Sequence, residues 1–218
     1  MKTIPCKGCL FDLDGTLIDS MAAVNRSWSA LALRHGLVPD EVLSVIHGRP
    51  ASESVAELLA GKPDIIQSEI EWLKKQETED TAGITPLPGA ISMLNNLTEK
   101  QIPWAIVTSG SEPVAQARIA AAGIPRPQIL ITADQIKQGK PNPEPYLLGA
   151  SRLNLQPAEC LVFEDAIAGV KSGLAAQSTV IGLLTHATPD MLMNVECIQD
   201  YRQVTIHKTE HGADILIQ

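Results

Sequence analysis

Short apolar runs recur along the chain and predict β-strands, because a strand buried on both faces is a nearly continuous hydrophobic segment. Segments with helical patterns separate these runs. Strands that alternate with helices indicate an α/β fold with a parallel sheet covered on both faces. In such a sheet, ligands bind beyond the carboxyl ends of the strands. The runs are Cys9–Phe11, Trp104–Val107, Ile129–Ile131, Leu161–Phe163 and Thr179–Leu183.

Four of the intervening segments predict helices. Ile91, Leu94 and Leu97 mark one face of the first. The alanine-rich segment Pro113–Ala122 ends before Gly123, a residue type common at helix ends. The other two predicted helices span residues 143–154 and 166–176.

The interval from about residue 18 to residue 85 interrupts this alternation, because it contains no strand pattern. A second amphipathic stretch lies at 65–75, and residues 81–88 are rich in glycine and proline. The interval therefore predicts a helical domain inserted after the first strand, with 81–88 as the return linker. Its first helix is marked by Met21, Val24, Trp28 and Leu31 at helical spacing.

These patterns predict the domain organisation. A Rossmann-like parallel-sheet core is formed by residues 1–17 and 87–218, and a helical cap by residues 18–86. The C-terminal apolar segments Val204–Ile206 and Ile215–Ile217 flank a His-Gly pair and predict a late hairpin.

Composition excludes several classes of protein. The formal net charge is -8, aromatic residues make up 3% of the chain, and there is no run of basic residues. We therefore expect no binding to nucleic acid or to an anionic membrane. No apolar run is long enough to span a bilayer, and the N-terminus shows no signal-peptide pattern, so a cytoplasmic protein is expected. The pattern does not indicate an oligomeric state.

Cys6 and Cys9 form a CxxC pair, which could indicate zinc or redox chemistry. No second CxxC or nearby pair of histidines completes a zinc site, and both cysteines lie at the start of a predicted buried strand. We therefore expect two buried thiols.

Two pairs of acidic residues follow predicted strands. Asp12 and Asp14 end the first apolar run and precede Gly15, which allows a sharp turn. Glu164 and Asp165 end another run at the start of a predicted helix. Acids that meet at one sheet edge repel each other unless a cation such as Mg²⁺ or a shared proton relieves them. Taken singly, the first pair is also compatible with a solvated turn, and the second with helix capping.

Two further strand-end features suit phosphate. Thr108 and Ser109 precede the alanine-rich helix, where hydroxyl and backbone N–H groups can donate to phosphate oxygens. Lys140 lies in a proline-rich loop that restricts its ammonium group, so it can neutralise a phosphate and a carboxylate. Helix capping and a solvated charge are the plain alternatives. With the four acids, these groups would make a complete phosphoryl-transfer site.

In order and context, Asp12–Thr16 (DLDGT), Thr108, Lys140 and the pair Glu164 and Asp165 resemble the four motifs of the haloacid dehalogenase superfamily. The similarity covers essentially the whole chain. The helical insertion resembles the cap of the β-phosphoglucomutase-like branch, which includes small bacterial sugar-phosphate phosphatases. The resemblance implies a Mg²⁺-dependent phosphatase for small phosphorylated metabolites, with hexose phosphates as the expected substrates.

The resemblance also implies residue roles. Asp12 would attack phosphorus and become an aspartyl phosphate, and Asp14 would protonate the leaving oxygen and then deprotonate the attacking water. Thr108 and the Ser109 backbone would bind the phosphoryl group. Lys140 would pair with Asp12 and phosphate, and with Mg²⁺ it is expected to depress the pKa of Asp12.

The implied metal ligands are Asp12, Asp165 and the backbone carbonyl of Asp14, while Glu164 would hold metal-bound water. Within the insertion, His47 and Arg49 lie in a loop that faces the active site in related enzymes. Arg49 could bind the hydroxyls or a second phosphate of the substrate, and His47 could hydrogen-bond a sugar. The alternative is a polar turn between helices on the surface.

A phosphomutase is the main enzymatic alternative to a phosphatase, and a non-catalytic interaction protein on the same fold is the second. In related mutases, a histidine of the cap holds the residue equivalent to Asp14 away from the reaction until the sugar closes the lid. This histidine lies four residues after a Ser or Thr that aligns with Ser20. This chain has Val24 there. Because valine cannot hydrogen-bond a carboxylate, we expect Asp14 to be ready as a base and hydrolysis to prevail.

Overall fold

The computed structural model describes residues 2–46 and 49–218. Eleven strands are described in this part of the chain. In chain order they are β1 (Lys2–Cys6), β2 (Gly8–Phe11), β3 (Ile18–Asp19), β4 (Thr85–Pro86), β5 (Trp104–Val107), β6 (Leu130–Ile131), β7 (Cys160–Glu164), β8 (Thr179–Leu183), β9 (Glu196–Ile198), β10 (Val204–Thr209) and β11 (Gly212–Ile217).

Eight α-helices are described within the same residues, together with four short 3₁₀ turns. The α-helices are α1 (Met21–Arg34), α2 (Pro39–Ile46), α3 (Ala51–Leu58), α4 (Ile66–Glu79), α5 (Ala90–Glu99), α6 (Glu112–Ala122), α7 (Glu144–Arg152) and α8 (Ile167–Ala175).

The central sheet has the strand order β6-β5-β2-β7-β8-β9, and all of its neighbouring strands are parallel. This confirms the α/β fold with a parallel sheet, and the five predicted strands agree with the structure to within one residue at each end. Buried apolar clusters lie on both faces of the sheet. Strand β2 lies between β5 and β7, so their carboxyl ends are neighbours at one edge.

The segment between β3 and β4 contains helices α1 to α4, which confirms a helical insertion after the first strand of the central sheet. These helices share an apolar cluster of their own, which includes Trp28, Leu31, Val55 and Leu73. Strands β3 and β4 pair antiparallel where the chain leaves and re-enters the core. The sequence pattern did not indicate this pair, because two residues per strand are too few to show a period.

The C-terminal hairpin of β10 and β11 is confirmed. It belongs to a three-stranded antiparallel sheet, since β1 pairs with the other edge of β11. The sequence pattern missed β1, whose Pro5 is typical of an edge strand, and also the short last parallel strand β9.

One predicted helix face was wrong in detail. Helix α5 buries Ala90, Met93, Leu94 and Leu97, whereas Ile91 is 36% exposed. The buried residues follow the i, i+3, i+4, i+7 spacing, which turns Ile91 towards solvent. Cys6 and Cys9 are buried free thiols, as expected. Within the described residues, none of the helices combines the length and the apolar character that crossing a membrane requires.

Candidate active site

The carboxyl ends of β2 and β7 bring three acidic side chains together. Asp12, Glu164 and Asp165 each offer an oxygen that lies within 4.8 Å of the other two. The strands make this contact because they are parallel neighbours in register, with Phe11 opposite Phe163. Asp12 is 7% exposed and Glu164 is 1% exposed. Three of the four acids that the sequence placed at two separate strand ends therefore form one cluster, in which Asp12 and Glu164 are buried and Asp165 is half-buried.

Lys140 supplies a positive charge to this cluster. Its Nζ donates hydrogen bonds to Asp12 Oδ1 and to Glu164 Oε1, each at 2.6 Å, and to the Val107 carbonyl at 3.0 Å. Tyr146 also donates to Glu164 Oε1, at 2.7 Å. Burial alone would lower the pKa of Lys140, but the charges of Asp12 and Glu164 raise it, so the lysine stays protonated.

The acids are difficult to ionise together. Burial raises the pKa of Asp12 to about 7, and the lowering by Lys140 offsets only part of this effect. Burial, followed by the charges of Asp12 and Glu164, raises the pKa of Asp165 well above its usual range. Lys140 alone does not keep the pKa of Asp12 low, because desolvation outweighs one ammonium group, and the combined effect of Lys140 and Mg²⁺ stays a prediction.

This donor set fits a hard divalent cation. The cluster has three carboxylates, and the pKa values of two of them, Asp12 and Asp165, lie far above the usual range. Among the described residues, Lys140 is the positive side chain that contacts this cluster. A bound cation would stabilise the ionised forms of the three acids. Asp165 is held in place by Thr16, whose hydroxyl donates to Asp165 Oδ1 at 3.1 Å. The residues present can hold a metal ion.

Two glycines allow this packing. Gly15 has φ +81°, and a Cβ there would lie 2.1 Å from Asp165 Oδ2. A Cβ on Gly169 in α8 would lie 1.7 Å from Glu164 Oε1. Any side chain at either position would displace an acid of the cluster.

Thr108 and Ser109 directly follow β5 and line the cavity together with Asp12. Thr108 is 2% exposed, and its hydroxyl accepts a hydrogen bond from the Gly110 N–H at 3.1 Å. Ser109 lines the same cavity as Asp12. Both residues precede α6, which begins at Glu112, so they lie where the sequence analysis expected phosphate-binding groups.

Asp14 lies at the edge of the cluster and has two partners of its own. Ser20 Oγ donates to Asp14 Oδ1 at 2.5 Å, and Arg118 Nη1 lies 2.8 Å from Asp14 Oδ2. Arg118 of α6 is therefore a partner of Asp14 that the sequence pattern did not indicate. Val24 itself lines the cavity beside Asp14.

Arg118 joins Asp14 to the helical insertion. Its Nη2 donates to Glu77 Oε1 of α4 at 2.9 Å, and all but about 5% of its surface is buried. Burial raises the pKa of Glu77, and Arg118 opposes part of that rise. The sequence pattern indicated a role for neither Arg118 nor Glu77. The available signal was one arginine in an alanine-rich helix, and it did not indicate a partner.

A cavity of about 620 Å³ lies above these groups, between the sheet edge and the insertion. Its floor includes Asp12, Thr108 and Asp165, and its other wall includes Trp28 and Arg49. The guanidinium of Arg49 also pairs with Glu57 at 2.8 Å. The other residue predicted in this loop, His47, lies outside the described residues.

Comparison with known proteins gives three kinds of match. Residues 6–177 match the family model of haloacid dehalogenase-like hydrolases. Hexitol phosphatase A of Escherichia coli strain K12 is 51% identical over 215 residues, which is 98% of this chain and 99% of that protein. Validoxylamine A 7'-phosphate phosphatase of Streptomyces hygroscopicus subsp. limoneus is 34% identical, over 88% of this chain and 92% of that protein.

The crystal structure of β-phosphoglucomutase from Clostridium difficile superposes with a TM-score of 0.81 at 22% identity, covering 92% of this chain and 93% of that one. At this identity the match supports the fold alone. The match to the family model covers most of the chain. The alignment with hexitol phosphatase A also covers most of it, and about half of the aligned residues are identical. The chain belongs to the haloacid dehalogenase-like hydrolases.

Proposed function

We propose that this protein is a Mg²⁺-dependent phosphatase that hydrolyses phosphorylated hexitols and related sugar phosphates. The observation that carries the proposal is the cluster of the buried Asp12, Lys140 and Glu164 with the half-buried Asp165 at the floor of the cavity. The names of the relatives support the substrate class, since one is a hexitol phosphatase and another acts on a sugar-like phosphate.

Each residue has a proposed role. Asp12 attacks phosphorus and forms an aspartyl phosphate, which divides one difficult hydrolysis into two easier steps. Asp14 protonates the leaving oxygen and then accepts a proton from the attacking water. Lys140 balances the charge of Asp12 and of the phosphoryl group. Thr108 and the Ser109 backbone bind the phosphoryl oxygens that face α6.

Asp12, Asp165 and the backbone carbonyl of Asp14 are the proposed metal ligands, and Glu164 is proposed to hold a metal-bound water. A bound Mg²⁺ would neutralise charge on the phosphoryl oxygens and stabilise the ionised form of Asp12. Thr16 orients Asp165, and Tyr146 together with Lys140 orients Glu164. These side chains are therefore proposed to hold the site in one geometry.

Residues 18–86 are proposed to be a cap domain over a core of residues 1–17 and 87–218. Motion of this cap would exclude water and select the substrate. Arg49 lines the cavity and is proposed to bind the substrate beyond its phosphate, in exchange for its present contact with Glu57. The same role for His47 stays a prediction, as does a cytoplasmic location.

A phosphomutase is the alternative that the resemblance to the β-phosphoglucomutase-like branch leaves open, and the superposition with β-phosphoglucomutase supports only the shared fold. Hydrolysis is preferred because the relatives with the higher identities are named as phosphatases. The two candidates are separated by incubation with α- and β-glucose 1-phosphate plus a trace of glucose 1,6-bisphosphate. Glucose 6-phosphate that accumulates much faster than free phosphate would identify a mutase.

The main test is phosphate release from a panel of hexitol, hexose and pentose phosphates by wild type and by Asp12→Asn. We expect the variant to lose turnover on the order of 10⁶-fold, the scale seen when a covalent nucleophile is removed, and to keep its fold. Asp214→Asn on β11, far from the cavity, is the matched control and should keep full activity. An active Asp12→Asn would exclude the proposed mechanism.

Metal binding is tested without turnover. We expect Mg²⁺ to raise the Tm of wild type and to have a much smaller effect on Asp165→Asn, because the metal loses a proposed ligand. Asp214→Asn should respond like wild type. Equal Tm shifts in all three proteins would contradict the assignment of Asp165 as a ligand.

A further inference from the structure

Arg118 is a buried cation outside the four motifs. Its side chain is 6% exposed, and its three nitrogens are not equally used. Nη1 pairs with Asp14 and Nη2 with Glu77, whereas Nε is buried and has no hydrogen-bond partner among the described residues. A charge is retained in such a place only when its partners compensate its desolvation. The two carboxylates therefore fix the position of the guanidinium, and it fixes theirs.

The hydrogen bonds of Asp14 determine its orientation. Ser20 donates to one carboxylate oxygen and Arg118 to the other. Ser20 lies directly before α1, and Arg118 lies on α6, so the carboxylate is held between the entry to the insertion and a helix of the core. Rotation of Asp14 breaks at least one of these bonds.

Glu77 extends this contact to the insertion. It lies on the buried face of α4, 7% exposed, and its carboxylate also accepts a hydrogen bond from the Trp28 side chain of α1. The guanidinium thus bridges one carboxylate of the core and one of the insertion. If α4 shifts, Glu77 shifts with it, and Arg118 cannot keep both partners in the same geometry.

We propose that Arg118 and Glu77 are a positioning pair that couples the position of helix α4 to the orientation of Asp14. The pair acts through Asp14, and it rests on the function proposed above, in which Asp14 transfers the proton. When α4 is seated as in this structure, Arg118 keeps Asp14 in a single orientation at the cavity wall. Displacement of α4 releases it.

The leaving group provides a readout specific to this role. In the first half-reaction, Asp12 forms a bond to phosphorus, the bond from phosphorus to the ester oxygen breaks, and that oxygen takes the proton of Asp14. Nitrophenolate leaves readily without a proton, phenolate less readily, and the alkoxide of a sugar alcohol hardly at all. A misplaced Asp14 therefore penalises the poorer leaving groups most.

The experiment measures kcat/KM for p-nitrophenyl phosphate, phenyl phosphate and a hexitol 6-phosphate with Arg118→Met, Arg118→Lys and Glu77→Gln. In Arg118→Met, we expect kcat/KM for phenyl phosphate to fall about 10-fold further than for p-nitrophenyl phosphate, and that for the hexitol phosphate about 100-fold further. Arg118→Lys and Glu77→Gln should show smaller falls in kcat/KM with the same order of substrates. Arg118→Lys retains the positive charge, and Glu77→Gln retains an oxygen that can accept a hydrogen bond.

Arg26→Met is the matched control. Arg26 also makes a two-nitrogen contact with a carboxylate, Asp80, but on the surface and away from the cavity. Arg26→Met should therefore leave the kcat/KM values for all three substrates unchanged. Circular dichroism checks the fold of each variant, and if Arg118→Met does not fold, Arg118→Lys and Glu77→Gln decide the question.

Equal falls for all three substrates would overturn the proposal and assign the pair a purely structural role. A fall for the hexitol phosphate alone, with an unchanged ratio of the two aryl esters, would also overturn it and assign the pair to substrate binding. Failure of the proposed function is recognised separately, because Asp12→Asn would then remain active.

Discussion

Two buried cations, Lys140 and Arg118, each bridge a pair of carboxylates, but different elements bring their partners together. The partners of Lys140, Asp12 and Glu164, come from the ends of two adjacent strands. The partners of Arg118, Asp14 and Glu77, come from a core loop and from a helix of the insertion. The first cluster is fixed by the sheet, whereas the second depends on how the insertion is seated.

This difference assigns the two clusters different tasks. A cluster fixed by hydrogen-bonded strands suits groups that must meet phosphorus with a constant geometry. A cluster that joins core and insertion suits a group that must respond when the substrate enters. The comparison predicts that changes to Lys140 affect all substrates alike, whereas changes to Arg118 depend on the leaving group.

The largest effect is expected for Lys140→Met. It leaves Asp12 and Glu164 buried without their cation, so we expect a loss of about 3–5 kcal/mol of unfolding free energy in metal-free buffer. Urea unfolding measures this loss. The activity that remains should fall by the same factor for p-nitrophenyl and phenyl phosphate.

Lys171→Met, which changes a lysine of α8 outside the cluster, is the control and should be close to wild type. A strong leaving-group dependence in Lys140→Met would remove the distinction between the two cations.

An intermediate effect is expected for Gly169→Ala. The added Cβ would collide with the carboxylate of Glu164, so this side chain or α8 must shift, at a cost of about 1–3 kcal/mol. We also expect a weaker response of the Tm to Mg²⁺. Gly61→Ala is the control, because no atom lies within 4 Å of its added Cβ. Similar unfolding free energies for the two variants would show that Glu164 is not tightly held.

The smallest effect concerns pH and the second cluster. Burial raises the pKa of Glu77 above its ordinary value of 4.5, so the folded state binds this proton more tightly than the unfolded state does. Stability from this group is therefore greatest below pH 4.5 and falls as pH rises through the folded-state pKa. We expect the Tm of Glu77→Gln, relative to wild type, to increase over that range.

Glu71→Gln changes an exposed glutamate of the same helix and should show no such trend. A relative Tm for Glu77→Gln that is constant or falls with pH would mean that burial does not govern the titration of Glu77.

The same comparison explains what the sequence could predict. Asp12 and Glu164 follow apolar runs, and the rules for parallel sheets place strand ends at one edge, so their meeting could be predicted. Lys140 lies in a proline-rich loop, and its pairing with Asp12 was implied by the resemblance to the family motifs. The contact of Arg118 with Glu77 depends on how α4 packs against α6, and no short-range pattern encodes that packing. Strands of two or three residues, such as β3 and β9, were missed because they show no period.

The orientation of Asp14 is the clearest case. The sequence indicated that Val24 cannot hydrogen-bond Asp14, but it did not indicate that Arg118 of the core would contact this carboxylate. Arg118 lies 104 positions after Asp14 in the chain, so the residues around Asp14 could not indicate this contact. Local reasoning therefore identifies the groups in this site, and tertiary packing determines how they are held.

The central claim is that Asp12 carries the phosphoryl group during turnover. The most direct measurement mixes the enzyme with a hexitol phosphate and Mg²⁺, quenches within one turnover in acid, and locates phosphate by mass spectrometry of the peptides. The account predicts a phosphate on Asp12 that forms and decays at the rate of turnover, and none in Asp12→Asn. Full turnover with no phosphate on Asp12 at any time would contradict it.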